Sequence, residues 1–234
     1  MKKVINGVLF LCVLAMGFIC WRSIADQQDF DKEVKQREAD VKTRLIQIRK
    51  AQEAYKLAKG EYCADWDTLI NFVETGRLPM VRKEGTLSDE QLEKGLTEAK
   101  VAQILGRGNA AEIAANGLQG FVRDTTWVVL KDSLYDDKFD ATQLPYIPHS
   151  ELSTEDGKPV KFDLIAVWIK TKSETVIPVM ECSATYNTYM AGESKMWQRE
   201  CTNKTELAEG QGNFPGLKIG DASLTWNNNA GNWE

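Results

Sequence analysis

The chain has 234 residues, 43% of them hydrophobic and 27% charged, with a net charge of −5. That balance, without a basic run interleaved with aromatics, excludes a general nucleic-acid binder. One histidine and five cysteines with no Cys-x-x-Cys pair speak against a metal centre, and no Gly-x-Ser-x-Gly, His-Glu-x-x-His or phosphate-loop motif marks an enzyme.

An uncharged run occupies residues 4–21. As a helix it would span about 27 Å, just under the ~30 Å hydrocarbon core of a bilayer. Lys2 and Lys3 lie in a short tip, 1–3, that should stay in the cytoplasm. Trp21 and Arg22 follow the run, an aromatic and a cation suited to the lipid headgroups. The alternative is a cleaved signal peptide, with Ser23-Ile24-Ala25 as the cleavage site. Bulky Ile19 and Trp21 sit where such a site needs small residues, and neither Cys12 nor Cys20 has the flanks of a lipidated cysteine. The run is therefore read as an uncleaved transmembrane helix whose partner is the lipid bilayer.

Residues 22–59 read as a helical rod. From 25 to 59 there is no Gly or Pro, and Glu, Lys, Gln, Arg and Ala dominate. Val34, Val41, Ile48 and Tyr55 recur every seven residues, and Leu45 and Ala51 widen that line into a stripe. Arg37, Glu38 and Arg44 interrupt its first half. A stripe that thickens toward the end predicts a helix that leaves the membrane bare and then docks on its own head. A coiled-coil dimer is the alternative, but only one of the two seam positions is consistently apolar.

Gly60 ends the rod, and 60–234 form the head. Asp65 can cap a short helix over 66–75 that buries Trp66, Leu69, Ile70 and Val73, with Gly76 closing it and Pro79 beyond.

The order of these features carries a resemblance. A long helix ending Ile48-Arg-Lys-Ala-Gln-Glu-Ala-Tyr55 is followed by Gly60-Glu-Tyr62, a short Leu69-Ile-Asn-Phe72 helix, and Gly76-Arg-Leu-Pro79. This series resembles type IV pilins and the pseudopilins of type II secretion systems. The likeness covers about the first eighty residues. It implies a membrane-embedded helix half continuing into an amphipathic half that packs on an antiparallel sheet. It further implies a structural subunit or partner of a bacterial secretion or pilus-like envelope assembly, with its head in the periplasm. Its partners would be copies of itself or other envelope proteins. The likeness does not extend to the processing site, because Val8 follows Gly7 where the family has Phe, and Cys12 stands where it has Glu.

Residues 85–123 read as a helical insertion. Ser88-Asp-Glu-Gln91 is a capping box, predicted to open one helix to about Leu105 with Leu92, Leu96 and Ala99 inward. Asn109-Ala-Ala-Glu112 repeats the device, and Gly117 stops it. Gly106-Arg-Gly108 reads as a plain turn, since no strand leads into it as a phosphate loop requires. Strands are expected at 125–130, 160–170 and 175–190, with a turn at 172–174 and an extended, proline-restrained connector at 144–148. After Cys201 the chain is polar and Gly/Asn-rich, and Trp226 and Trp233 should hold the tail onto the head. The fold class is thus α+β.

Of the cysteines outside the apolar run, Cys182 reads as a strand end and Cys201 lies nineteen positions on, so a Cys182–Cys201 bridge around a loop is expected in an oxidising compartment, with Cys63 left over. His149, beside Pro148, reads as a surface or half-buried imidazole rather than a general base. Asp132, Asp136, Asp137 and Asp140 form an acidic cluster. It reads as a solvated loop, Ca2+ being the lesser alternative that head loops of some pseudopilins suggest; otherwise no cofactor is expected. Asn203-Lys-Thr205 matches a glycosylation acceptor, which carries little weight in a chain whose resemblance is to bacterial proteins. The function expected is structural and not enzymatic. The second reading is a non-polymerising single-pass scaffold or binding module of an envelope or division complex.

Overall fold

A single helix, α1 (Lys2–Lys59), carries the apolar run and the charged rod through 58 residues without a break, about 87 Å at 1.5 Å per residue. The computed structural model describes residues 2–136, 139–223 and 229–234, with 2–5, 8, 78–82 and 124–126 described in their backbone only. α1 stops where the sequence expects it to. Gly60 adopts φ +83°, a left-handed conformation that a side chain would resist, and its N–H bonds back to the Lys56 carbonyl at 2.8 Å.

The chain divides into two compact units, Met1–Trp66 with Thr142–Glu234, and Asp67–Ala141. The first unit holds α1 and a three-stranded sheet that covers part of it.

In the second unit, α2 (Trp66–Thr75) matches the predicted bounds and buries Leu69 and Val73 completely. β1 (Arg77–Glu84) is a strand the sequence reading left unassigned. Gly76 closes α2, its N–H bonding back to the Phe72 carbonyl at 2.7 Å, and Pro79 lies further on, opposite Trp127 in the antiparallel pairing of β1 with β2 (Val122–Val129). A proline is tolerated there because the sheet has only two strands, so β1 is an edge.

Between the two strands lie α3 (Asp89–Glu93), α4 (Glu98–Arg107) and α5 (Ala110–Ala115). The Ser88 capping box forms as predicted, but it does not open one long helix. The helix breaks after Lys94, where Gly95 takes φ +75°, and Thr97 then caps a new one. The break changes which face is inward. Leu96 is buried, but Leu92 is 52% exposed and Ala99 is also exposed; Val101, Ile104 and Leu118 complete the small core. Asn109 caps α5 through its side-chain oxygen, accepting from Ala111 and Glu112 N–H, as its sequence position implied. α6 (Leu130–Leu134) follows β2 directly.

Back in the first unit, β3 (Asp163–Lys170) and β4 (Val176–Thr185) pair from Asp163↔Ser183 to Lys170↔Val176 around the predicted turn, where Glu174 takes φ +64°. β4 ends earlier than 190, because a helical turn, α7 (Tyr186–Tyr189), succeeds it. The largest difference from the sequence reading is α8 (Lys195–Gly210), sixteen residues of helix across the stretch expected to be a loop and polar tail. β5 (Gly216–Gly220) completes an antiparallel meander in the order β3-β4-β5 and packs on α1. The tail does fold back. Gly231 bridges to Ile219, the Glu234 carboxylate meets Arg49 at 2.9 Å, and Trp233 lies beneath Lys42. Trp226 lies outside the described residues.

Candidate functional site

Two surfaces of α1 define what the molecule can do: one that nothing covers and one that the head covers. From Leu9 to Ile24 every large apolar side chain is exposed, among them Leu11 at 69%, Ile19 at 65% and Trp21 at 68%. These side chains point in all directions round the helix. A helix apolar on every face is stable only where lipid or protein surrounds it. It is the one described helix long and apolar enough to cross a membrane. Arg22 leaves the run in an ion pair with Asp26 at 3.9 Å. The side chains of Lys2 and Lys3 lie outside the described residues.

Burial begins at Phe30 and runs along the expected stripe. Val34 is 7% exposed, Val41, Leu45, Ile48 and Ala51 are fully buried, and Tyr55 is half-buried. The seam is thus used within the chain, and the coiled-coil alternative loses the surface it would need.

Arg37 was expected to interrupt this seam, yet it is one of its buried members. Its guanidinium lies 3.7 Å from the centre of the Trp197 ring, donates to the Ala191 carbonyl at 2.9 Å and the Tyr189 carbonyl at 3.4 Å, and pairs with Glu33 at 2.9 Å. Phe30 meets the same indole edge-on at 4.8 Å. A planar cation that stacks and donates sideways at once can be buried without being left unpaired. Glu38, a second expected interruption, pairs with Lys204 of α8 at 2.8 Å. Burial works to lower the Lys204 pKa, but the Glu38 carboxylate, joined by Glu200 and Tyr186, holds the ammonium above its ordinary value. Arg44 donates to the Gln143 carbonyl.

At the far end of α1 the buried Gln52 amide holds the turn after Gly60. It donates to the Cys63 carbonyl at 2.7 Å and accepts from the Cys63 N–H at 2.9 Å. Tyr62, two residues past Gly60, takes hydrogen bonds on its hydroxyl from Asn229 at 2.7 Å and Lys56 at 3.3 Å. The turn, the rod and the tail are therefore tied at one point. Gln52→Ala should destabilise the chain by about 2 kcal/mol, because it orphans a buried N–H and a buried C=O together. Urea unfolding would measure this, and a midpoint equal to that of the parent would contradict it.

Comparisons with protein-family models, curated proteins and solved structures give no match.

The expected Cys182–Cys201 bridge is not formed; both thiols are buried and free. Cys182 is not at a strand end but inside β4, between Leu164 of β3 and Ile219 of β5. Cys201 sits on α8, with its thiol on the Asn187 side-chain oxygen at 2.9 Å. The loop that would have brought them together is helix. Burial pushes the Cys182 thiol well above its ordinary value and also raises Cys63 and Cys201, so none is a ready nucleophile.

His149 is partly exposed, with its Nε2 2.8 Å from the Asp40 carboxylate of α1, and it takes φ +64°. It fastens the connector to the rod. Of the acidic cluster, Asp137 lies outside the described residues, and among those described no group of three ligating side chains is gathered. Asn203 and Thr205 fall inside α8.

The sequence reading missed the α8 face that receives Arg37. Its signals were Ser194, whose hydroxyl accepts from the Trp197 N–H, and the four-residue spacing of Trp197 and Cys201, both buried.

Proposed function

We propose that this protein is a single-pass membrane-anchored structural subunit, or partner, of a pilin- or pseudopilin-like envelope assembly, with its head on the periplasmic side of a bacterial inner membrane. One observation carries the reading. A single unbroken helix is apolar and bare on every face at one end, and is sheathed by the chain's own sheet and helix at the other. Such a rod transmits position between a bilayer and a head without a hinge. The Tyr55, Gly60, Tyr62 and Leu78-Pro79 series supports the family likeness. The work of the molecule is packing and not catalysis.

A second reading, a stationary scaffold or binding module that does not polymerise, is favoured by Val8 after Gly7 and by Cys12 in place of an acid. Intact mass of the protein from its native membrane separates the two. Cleavage after Gly7 supports the subunit. An uncleaved start in the membrane fraction supports the scaffold, and a soluble form beginning near Asp26 defeats both. Crosslinking into ladders against a fixed stoichiometric complex gives an independent check.

A further inference from the structure

We propose that the start of α8 is a second, peripheral membrane contact, which binds anionic phospholipid headgroups beside the anchor. The proposal rests on the anchor reading above.

α8 runs alongside α1 in the same sense, since Trp197 meets Phe30 and Lys204 meets Glu38. Its first turns therefore face the apolar run. They meet α1 in a cleft of about 170 Å3 lined by Gln27, Phe30, Lys195, Met196, Arg199 and Glu200. Gln27 and Phe30 come soon after Trp21 in sequence, which places this cleft roughly 9–14 Å along the axis from an indole at headgroup level. A Lys or Arg side chain extended from there brings its charge within about one Debye length of the lipid phosphates.

The charges on this face suit an anionic surface. Lys195 and Arg199 are exposed, lie one helical turn apart, and have no ion pair among the described residues. Met196 between them is 38% exposed, an apolar side chain set among cations. The carboxylates nearby are mostly engaged. Asp26 pairs with Arg22, Asp29 with Lys32, Glu33 with Arg37, and Glu200 with Lys204, while Asp31 accepts from Gln27. Asp31, bonded only to a neutral amide, and Glu193, before the Ser194 cap, are the opposing charges on this face. Trp197 is locked by Arg37 and Phe30, so this face is held rigidly toward the bilayer.

The test uses the full-length protein in lipid nanodiscs of phosphatidylcholine, with or without about one-third phosphatidylglycerol. The readout is the rate of Lys195 acetylation by a water-soluble ester, tracked by mass spectrometry against Lys172, an exposed lysine on the β3–β4 turn. Lys195 should react about fivefold more slowly in the anionic discs, the factor expected for one cation held near such a surface. Lys172 should be unchanged. High salt, or Arg199→Gln, should remove most of the difference. Equal Lys195 rates in both discs, or equal slowing of Lys172, would overturn the contact while leaving the anchor intact. Failure of the protein to enter discs of either composition would overturn the anchor reading and this inference with it.

Discussion

Arg37→Ala should cost the head about 3 kcal/mol, the largest loss expected from any single polar side chain in the seam. The substitution removes a desolvated cation–π contact at 3.7 Å and a charged donor to the Ala191 carbonyl at 2.9 Å. It also leaves space beside a buried indole. The Glu33 pair adds little, because that carboxylate is 55% exposed. Lysine at the same position keeps the charge but not the plane, so Arg37→Lys should recover less than half of the loss. Urea unfolding of the detergent-solubilised chain, monitored by tryptophan fluorescence, measures both variants. A loss under about 1 kcal/mol for Arg37→Ala would mean that the cation is peripheral to docking.

Leu11→Asp with Leu14→Asp should release the protein from the membrane. Each aspartate near the middle of a span costs about 3 kcal/mol, while each Leu, Ile, Phe or Val contributes only about 0.3–0.6. The run holds ten of these four residue types before substitution, worth roughly 3–6 kcal/mol together, so two acids cancel the whole gain. Both positions are bare in the structure, at 69% and 56% exposure, so the head should keep its fold. Flotation with native membranes reads the outcome. Two acids placed instead at Gln28 and Lys35, beyond the run, should leave flotation unchanged. If the Leu11/Leu14 pair still floats, the run is not the anchor.

The two substitutions test different kinds of information. The apolar run long enough to cross a membrane is written in consecutive residues, and no distant contact is needed to read it. The same holds for the end of α1 at Gly60, for the bounds of α2, and for the caps at Ser88 and Asn109, where one side chain satisfies backbone donors within three residues of itself. Val41 and Ile48 were legible because a seven-residue spacing places them on one line of a helix, and Leu45 because it lies one turn from both. Where the reading failed locally, a competing local signal was present. Gly95 broke the helix that the Ser88 capping box opened, and with it Leu92 turned outward.

The sequence by itself determined the rod: its apolar end, its buried stripe and its stopping point, together with the α+β character of the head. The tertiary structure alone decided the partners across the seam. Arg37 and Trp197 are separated by 160 positions, and no periodicity links them. Arg37 looks like a solvated interruption until α8 supplies a ring to stack on and α7 and the residues after it supply carbonyls to receive its protons. Cys182 and Cys201 look like a bridge until the intervening chain coils into α7 and α8 and sends each thiol to a different neighbour. Helix and turn signals are short-range because they rest on backbone geometry within one or two turns. Burial of a charge, or the pairing of two thiols, depends on which distant element arrives, and that is settled only when the whole chain has packed.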